Sequence, residues 1–469
     1  LPQNDSKPKV NLLTNTLVYS IGNFGSKILS FLLIPFFSFF LTKEELGTYD
    51  LLLTTIFLLV PISTFQISDA LYRWLIGNDK NINKRKYIGN AIGLLVFSLG
   101  SIISLIYITN IFINVYYIHL FVTMLILSCV YPFYQQILRG IGNIKAYAFS
   151  GILHSFFLVL FNVASIFIFD DKIFGILSSS ILAYVLVIAL LQFKFNVISF
   201  QYFQLKWNLE KKEMLIYSLP LMLNALSWWV INASDRYLIL KYLSLSENGI
   251  YAISSRFPAI VILLNSIFML AWQDKALSTD ESEVVDYQKI FKNFLIFELS
   301  LVAFLISISP LLISLVVDEA FESSWRYMIV LYVATIFSAL SAFIGAGYLR
   351  QKKTNRVFFT SLIGAVFNIF VIILTIENLG LYAPALGSFI GFLVIFIIRF
   401  YDMKKEFKLN FKVVIFFFLS VYFLSTILIT LFLENSYVNF SMIFISASIF
   451  LILNKKIIFK TLNFVKSKI

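Results

Sequence analysis

Runs of apolar residues some 20 long, parted by short polar connections, recur along the whole chain, and a run of that length is what an α-helix needs to cross about 30 Å of hydrocarbon. That ruler predicts about fourteen spans. Twelve fall in two sets of six, near 11–41, 46–70, 87–109, 117–138, 147–169 and 173–193, then near 214–240, 247–272, 291–317, 325–349, 357–376 and 382–401; two more lie near 412–433 and 438–454. A soluble core could not hide 59% hydrophobic residues with 13% charged, at a mean hydropathy of +0.88. With no water in the bilayer, each span must satisfy its own backbone, so the expected fold is an all-α polytopic membrane protein.

The chain also reads as built twice. Leu41–Tyr49 is Leu-Thr-Lys-Glu-Glu-Leu-Gly-Thr-Tyr, and about 202 positions later Leu243–Tyr251 is Leu-Ser-Leu-Ser-Glu-Asn-Gly-Ile-Tyr. Both fit L-[ST]-x-x-E-x-G-x-Y, and both sit between long apolar runs as the short connection of a helical hairpin. A weaker echo pairs Leu138-Arg139 with Leu349-Arg350, each followed by a helix with a central asparagine, Asn162 and Asn368. The expected layout is a tail over 1–10, a six-helix lobe over 11–193, a linker over 194–213, a second six-helix lobe over 214–401, two C-terminal helices within 402–454 and a basic tail over 455–469. In repeat-built transporters the substrate site lies where the repeats meet.

Charge sets the orientation. Most of the 37 Lys and Arg fall on one side of this arrangement, including Lys7, Lys9, Lys84-Arg85-Lys86, Arg139, Lys145, Lys211, Lys212, Lys352, Lys353, Arg356, Lys404 and Lys405. Positive charge stays in the cytoplasm, so both termini are expected there, in a bacterial cytoplasmic membrane. The acidic loop with Asp280, Glu281, Glu283 and Asp286 does not alter that reading, because acids contribute little to topology. The net charge of +12 arises from these short clusters, which argues against nucleic acid as a partner.

Enzymatic classes find little support. One cysteine, Cys129, allows no internal disulfide, and His119 and His154 with it make no credible metal site. No Walker motif occurs, so no ATP-driven cycle is expected, and no loop exceeds about 20 residues, too short to carry glycosyltransferase carboxylates. No cofactor is expected, and transport would be passive or coupled to H+ or Na+. Leu1–Val10 is polar and shows no signal-peptide pattern.

At the two hairpin motifs, at Asn232-Ala-Ser-Asp235-Arg236-Tyr237 and at Gly249-Ile-Tyr251-Ala-Ile-Ser-Ser-Arg256, the sequence resembles the polysaccharide flippases called Wzx. These belong to the MOP superfamily, which also holds lipid II flippases and the MATE drug exporters. The resemblance covers nearly the whole chain. It implies fourteen spans in two lobes and a flippase that moves an undecaprenyl-pyrophosphate-linked oligosaccharide to the outer leaflet by alternating access, for O-antigen-like or capsule-like polymers, with the polymerase machinery as a partner. The alternatives are a multidrug exporter of the same superfamily and a lipid II flippase.

Charged side chains inside spans are the candidate site, because a Lys or Arg at a helix centre costs about 2.5 to 3.5 kcal/mol on insertion scales. Lys27 lies mid-span, on one helical face with Thr16, Ser20, Asn23 and Ser30. That stripe reads either as cavity lining, with Lys27 and Asn23 on the substrate, or as a polar seam against a neighbour. Arg256 lies about 14 Å into its span, too deep to snorkel easily, and would hold a pyrophosphate or acidic sugar, or form an ion pair. Arg73, beside Trp74, would guide a headgroup at the inner mouth, as would Lys275 at the equivalent position of the repeat, or else anchor at the interface. Asp235 and Arg236 read as a gate or helix-end ion pair. Glu298 and His154 sit about 10 Å inside their spans and are the candidates for ion coupling, against a plain role in helix packing. Both deep cations, Lys27 and Arg256, favour an anionic passenger over a cationic drug. Trp74, Trp272 and Trp325 fit interfacial belts.

Overall fold

The computed structural model of the chain describes residues 31, 33, 35–76, 84–113, 115–196, 206–278, 287–350, 353–405, 422–430 and 436–466. Its helices are α1 (Lys43–Thr64), α2 (Ile67–Ile76), α3 (Lys84–Ile113), α4 (Ile118–Gly140), α5 (Ile144–Ile168), α6 (Lys172–Phe195), α7 (Leu209–Ala233), α8 (Asp235–Tyr242), α9 (Leu245–Ser278), α10 (Tyr287–Val316), α11 (Ser324–Arg350), α12 (Thr354–Leu379), α13 (Tyr382–Met403) and α14 (Ser436–Lys466). Among the described residues eleven helices are long and apolar enough to cross a membrane, or twelve if α7 and α8 make one broken span. The protein is an all-α polytopic membrane protein. The spans expected near 11–41 and 412–433 lie largely outside the described residues.

Two expected spans are interrupted. The run near 46–70 breaks at Phe65 and Gln66, which take left-handed backbone angles of φ 47° and 53°. Two such residues without glycine are costly, and the break falls in a locally polar stretch, with Ser63, Thr64, Gln66, Ser68 and Asp69 around it and Pro61 four residues before Phe65. The freed amides find local acceptors: Gln66 N–H donates to Thr64 Oγ1 at 3.2 Å, and the next helix begins with Asp69 N–H on Gln66 O at 3.1 Å. The run near 214–240 breaks at Ser234, between α7 and α8.

The repeated motif is a helix start with a physical reason for each shared position. In the first copy Thr42 N–H donates to Glu45 Oε2 at 2.8 Å while Glu45 N–H donates to Thr42 Oγ1 at 3.2 Å, a reciprocal capping box that satisfies two orphan amides of α1. In the second, Glu247 N–H donates to Ser244 Oγ at 3.1 Å. The motif glycines allow a close approach. A Cβ on Gly47 would overlap the carbonyl oxygen of Leu245, and one on Gly249 would overlap that of Lys43. Gly47 and Gly249 are equivalent in the repeat, as are Lys43 and Leu245, so the contact is reciprocal. Asn248 Nδ2 donating to Gly47 O at 2.8 Å locks it.

The chain divides into two compact units, one built on Leu51–Leu226 and the other on Pro35–Asp50 with Ser227 onward, so both copies of the motif lie in the second. In the first unit Tyr131, Tyr134 and Leu138 of α4 pack with Val187 and Leu191 of α6. Buried Asn162 of α5 donates to Ser180 Oγ of α6 at 3.2 Å and accepts from Ser179 Oγ at 2.8 Å. In the second unit the corresponding Asn368 of α12, also buried, donates to Ser388 Oγ of α13 at 3.5 Å. Each central asparagine thus pins the following helix through a serine, a polar tie that remains stable where water is absent.

Candidate functional site

The deepest cluster of charge in the second unit is assembled from three helix segments. Asp50 follows the first motif on α1, Asp235 and Arg236 open α8, and Ser255 and Arg256 lie on α9. Arg236 is central: Nη1 donates to Asp235 Oδ1 at 2.7 Å, Nε to Asp50 Oδ2 at 3.3 Å and Nη2 to Ser255 Oγ at 2.8 Å. Its guanidinium also stands 4.9 Å from the ring centre of Tyr251, the last residue of the second motif, which is 1% exposed. Charges this buried persist only when paired and hydrogen-bonded, and this one is held on every side.

Arg256 is held much less firmly. Its Nη2 lies 3.5 Å from Asp50 Oδ1, at the long limit of a hydrogen bond, and its Nε–H has no partner among the described residues. Its side chain is 31% exposed, against 10% for Arg236 and 6% for Asp50. Two guanidiniums and two carboxylates balance in charge, yet Arg256 keeps donors in reserve. Counting 1.5 Å per residue from Leu245, it lies about 16 Å along α9, well inside an apolar helix.

The other expected residues fall elsewhere. Glu298 on α10 is fully buried; Asn265 Nδ2 donates to its Oε2 at 3.1 Å, and its Oε1 has no partner among the described residues. Asn265 is nine residues beyond Arg256 on α9, about 14 Å along the helix, so Glu298 is not part of the ion-pair cluster. His154 belongs to the first unit, between the rings of Tyr131 and Tyr184 at 4.8 and 4.2 Å, with Nε2 unpartnered among the described residues. Arg73 is exposed in the last turn of α2 in the same unit. Lys27, Asn23 and the side chain of Lys275 lie outside the described residues. Trp272 is not an interfacial anchor: it is 3% exposed, stacked on Phe343 at 4.2 Å, and donates Nε1–H to Phe343 O at 2.9 Å.

Sequence reasoning missed Asp50 and Arg399. The signal for Asp50 was in the repeat itself: the position after the motif tyrosine is Asp50 in one copy and Ala252 in the other, while the position of Arg256 is Thr54 in the first. The copies depart from one another in complementary charge, and those departures are the ion pair. Arg399 is 5% exposed on α13 and donates to Thr360 Oγ1 at 3.0 Å, Ser361 Oγ at 3.1 Å and Ser341 O at 3.0 Å. It joins three helices, and its place five residues before Lys404, at the end of an apolar run, gives no sign in the sequence that it is buried.

A family model described as "Polysaccharide biosynthesis protein" matches residues 12–273, more than half of the chain. No curated protein matches by sequence. Among solved structures, a lipid II flippase MurJ in an inward closed conformation aligns over 95% of this chain and 99% of its own, with TM-score 0.69 and 16% identity. An inward-facing multidrug resistance MATE transporter of the MOP superfamily aligns over 83% and 94%, with TM-score 0.62 and 15% identity. The Vibrio cholerae MATE transporter VcmN aligns over 85% and 96%, with TM-score 0.60 and 14% identity. At such identities the likeness is one of fold.

Proposed function

The chain belongs to the polysaccharide biosynthesis protein family, and from that premise we propose that it is a flippase carrying an undecaprenyl-pyrophosphate-linked oligosaccharide across the bacterial cytoplasmic membrane. It is a multi-pass transport protein of MOP fold and not an enzyme. In this reading about fourteen spans form two six-helix lobes followed by two further helices, both termini are cytoplasmic, and the passenger crosses by alternating access before a polymerase takes it.

The observation that carries the anionic passenger is the state of Arg256. A guanidinium deep in an apolar helix, with one long contact to Asp50 and an unpartnered Nε–H, has donors left for a pyrophosphate, which such a group binds through parallel charge-assisted hydrogen bonds. Lys27 and Asn23 on the first span, and Arg73 at the inner mouth, complete the proposed path. Asp235 and Arg236 form the ion pair that organises the site, and Glu298 and His154 are the proposed points of coupling to H+ or Na+.

The drug-exporter reading draws on Glu298, a buried acid with one free oxygen of the kind that a cationic drug would seek. Deleting the gene and analysing lipid-linked intermediates separates the two. Accumulation of undecaprenyl-linked repeat units in the cytoplasmic leaflet is expected. Unchanged intermediates with altered drug susceptibility would overturn the proposal in favour of an exporter, and accumulation of lipid II would give the chain a different lipid-linked passenger.

A further inference from the structure

A cleft of about 830 Å³ opens between α5 and α6 in the first unit, and none of the residues lining it is assigned to the passenger. Asn143, Lys145 and Lys194 stand at one end, and Phe149, Leu153 and Leu190 line its length. No acid is among the residues lining it, and neither lysine is ion-paired among the described residues. Both lysines are exposed, and so are Phe149 at 61% and Leu190 at 48%, an apolar surface that in a membrane protein meets acyl chains and not water. The lysines share their end of the cleft with the start of α5, where Asn143 Oδ1 accepts the Ala146 N–H at 3.2 Å, and with the last turn of α6, so the opposed helix termini offset one another and the two ammonium groups set the charge.

We propose that this cleft binds an anionic phospholipid, its phosphate between Lys145 and Lys194 and an acyl chain along Phe149, Leu153 and Leu190. Two ammonium groups favour a lipid of net negative charge over a zwitterion, whose own cation offsets its phosphate, and the cationic end gives way to an apolar wall in the order of a lipid's own structure. The positive end of the cleft lies on the side where most Lys and Arg of the chain collect, and a cytoplasmic leaflet rich in anionic lipid attracts such groups. The segment that follows α6, residues 197–205, reads Val-Ile-Ser-Phe-Gln-Tyr-Phe-Gln-Leu and has no acid to meet two ammonium groups, so it is the poorer occupant.

Native mass spectrometry of the full-length protein in detergent, titrated separately with dioleoylphosphatidylglycerol and dioleoylphosphatidylcholine, tests this. A lysine near an anionic headgroup contributes about five-fold in affinity, so Lys145→Gln with Lys194→Gln is expected to weaken phosphatidylglycerol about 25-fold and leave phosphatidylcholine unchanged. The variant should stay folded, since both lysines are exposed, and its thermal unfolding is the control. Equal retention of the two lipids by the wild type, or undiminished phosphatidylglycerol binding by the variant, would overturn the site. Displacement of the phosphatidylglycerol by undecaprenyl pyrophosphate at equal concentration would overturn it too, by giving the cleft to the passenger, as would a cross-link between cysteines placed at Phe149 and Phe203 that phosphatidylglycerol fails to suppress. None of these outcomes depends on whether deletion of the gene causes lipid-linked sugars to accumulate.

Discussion

Asp50 meets both arginines of the cluster at once, Oδ2 facing Arg236 Nε at 3.3 Å and Oδ1 facing Arg256 Nη2 at 3.5 Å, so its loss is felt unequally by the two. Arg236 retains Asp235 and Ser255, whereas Arg256 is left without an ion pair among the described residues. Breaking a buried pair on one side costs about 3 kcal/mol or more, because the survivor is stranded. Asp50→Asn is therefore expected to lower stability by about that amount in detergent, and adding Arg256→Gln to restore part of it. Unfolding of the wild type, both single variants and the double gives the coupling, expected at about 1 to 2 kcal/mol; strict additivity would show that the 3.5 Å contact carries no energy. This also explains what was legible. The depth of Arg256 in an apolar run marked it at once, because burial of charge is costly wherever it occurs. Asp50 sits seven residues into α1, close enough to a polar connection that its position alone says nothing, and only comparison with Ala252 in the second copy brings it out.

At the scale of helices, the hairpin motif was legible and its purpose was not. Periodicity and spacing located both copies, but the Gly47 and Gly249 contact depends on two strictly local backbones meeting from positions about 202 apart, which no single-copy pattern encodes. Gly47→Ala would drive a methyl into the Leu245 carbonyl, and Gly249→Ala into that of Lys43; neither obstacle is a flexible side chain, so helix starts must move. Each substitution is expected to cost about 1 to 3 kcal/mol, visible as reduced protein in the membrane and a lower unfolding temperature. Because one separation relieves both clashes, the double variant should cost less than the sum of the singles. Gly100→Ala, where an added Cβ meets nothing within 4 Å, is the control and is expected to be neutral or slightly stabilising. The break at Phe65 and Gln66, by contrast, had a local signal: Pro61 lies four residues before it, and Ser63, Thr64, Gln66, Ser68 and Asp69 cluster around it, side chains that offer the backbone local hydrogen bonds at a helix end.

For the molecule as a whole, hydropathy made the class plain, because a chain with this much apolar surface has few ways to satisfy its backbone. Orientation rests on Lys and Arg, and single cysteines in a Cys129-free background test it: sites at Asn83 and Lys353 should be shielded from an impermeant thiol reagent in intact cells, while sites at Ser246 and Glu44 should label. Labelling of Asn83 from outside would invert the topology.

The source of energy belongs to the same scale. Net movement of a passenger without a Walker motif needs either its consumption on the far side or an ion gradient, and a gradient needs a group that exchanges an ion inside the bilayer. Glu298 has the required asymmetry, with Oε2 fixed by Asn265 at 3.1 Å and Oε1 buried without a partner among the described residues. An acid so placed calls for a proton or a sodium ion at its second oxygen. Glu298→Gln preserves the shape and leaves an oxygen for Asn265, but cannot exchange the ion. Reconstituted in vesicles with an imposed proton or sodium gradient, the variant is expected to fold as the wild type does, to bind its lipid-linked passenger with unchanged affinity, and to flip it at a rate that no longer responds to one of the two gradients. A response to both that matches the wild type would remove Glu298 from the coupling and leave downstream consumption of the passenger as the driving force.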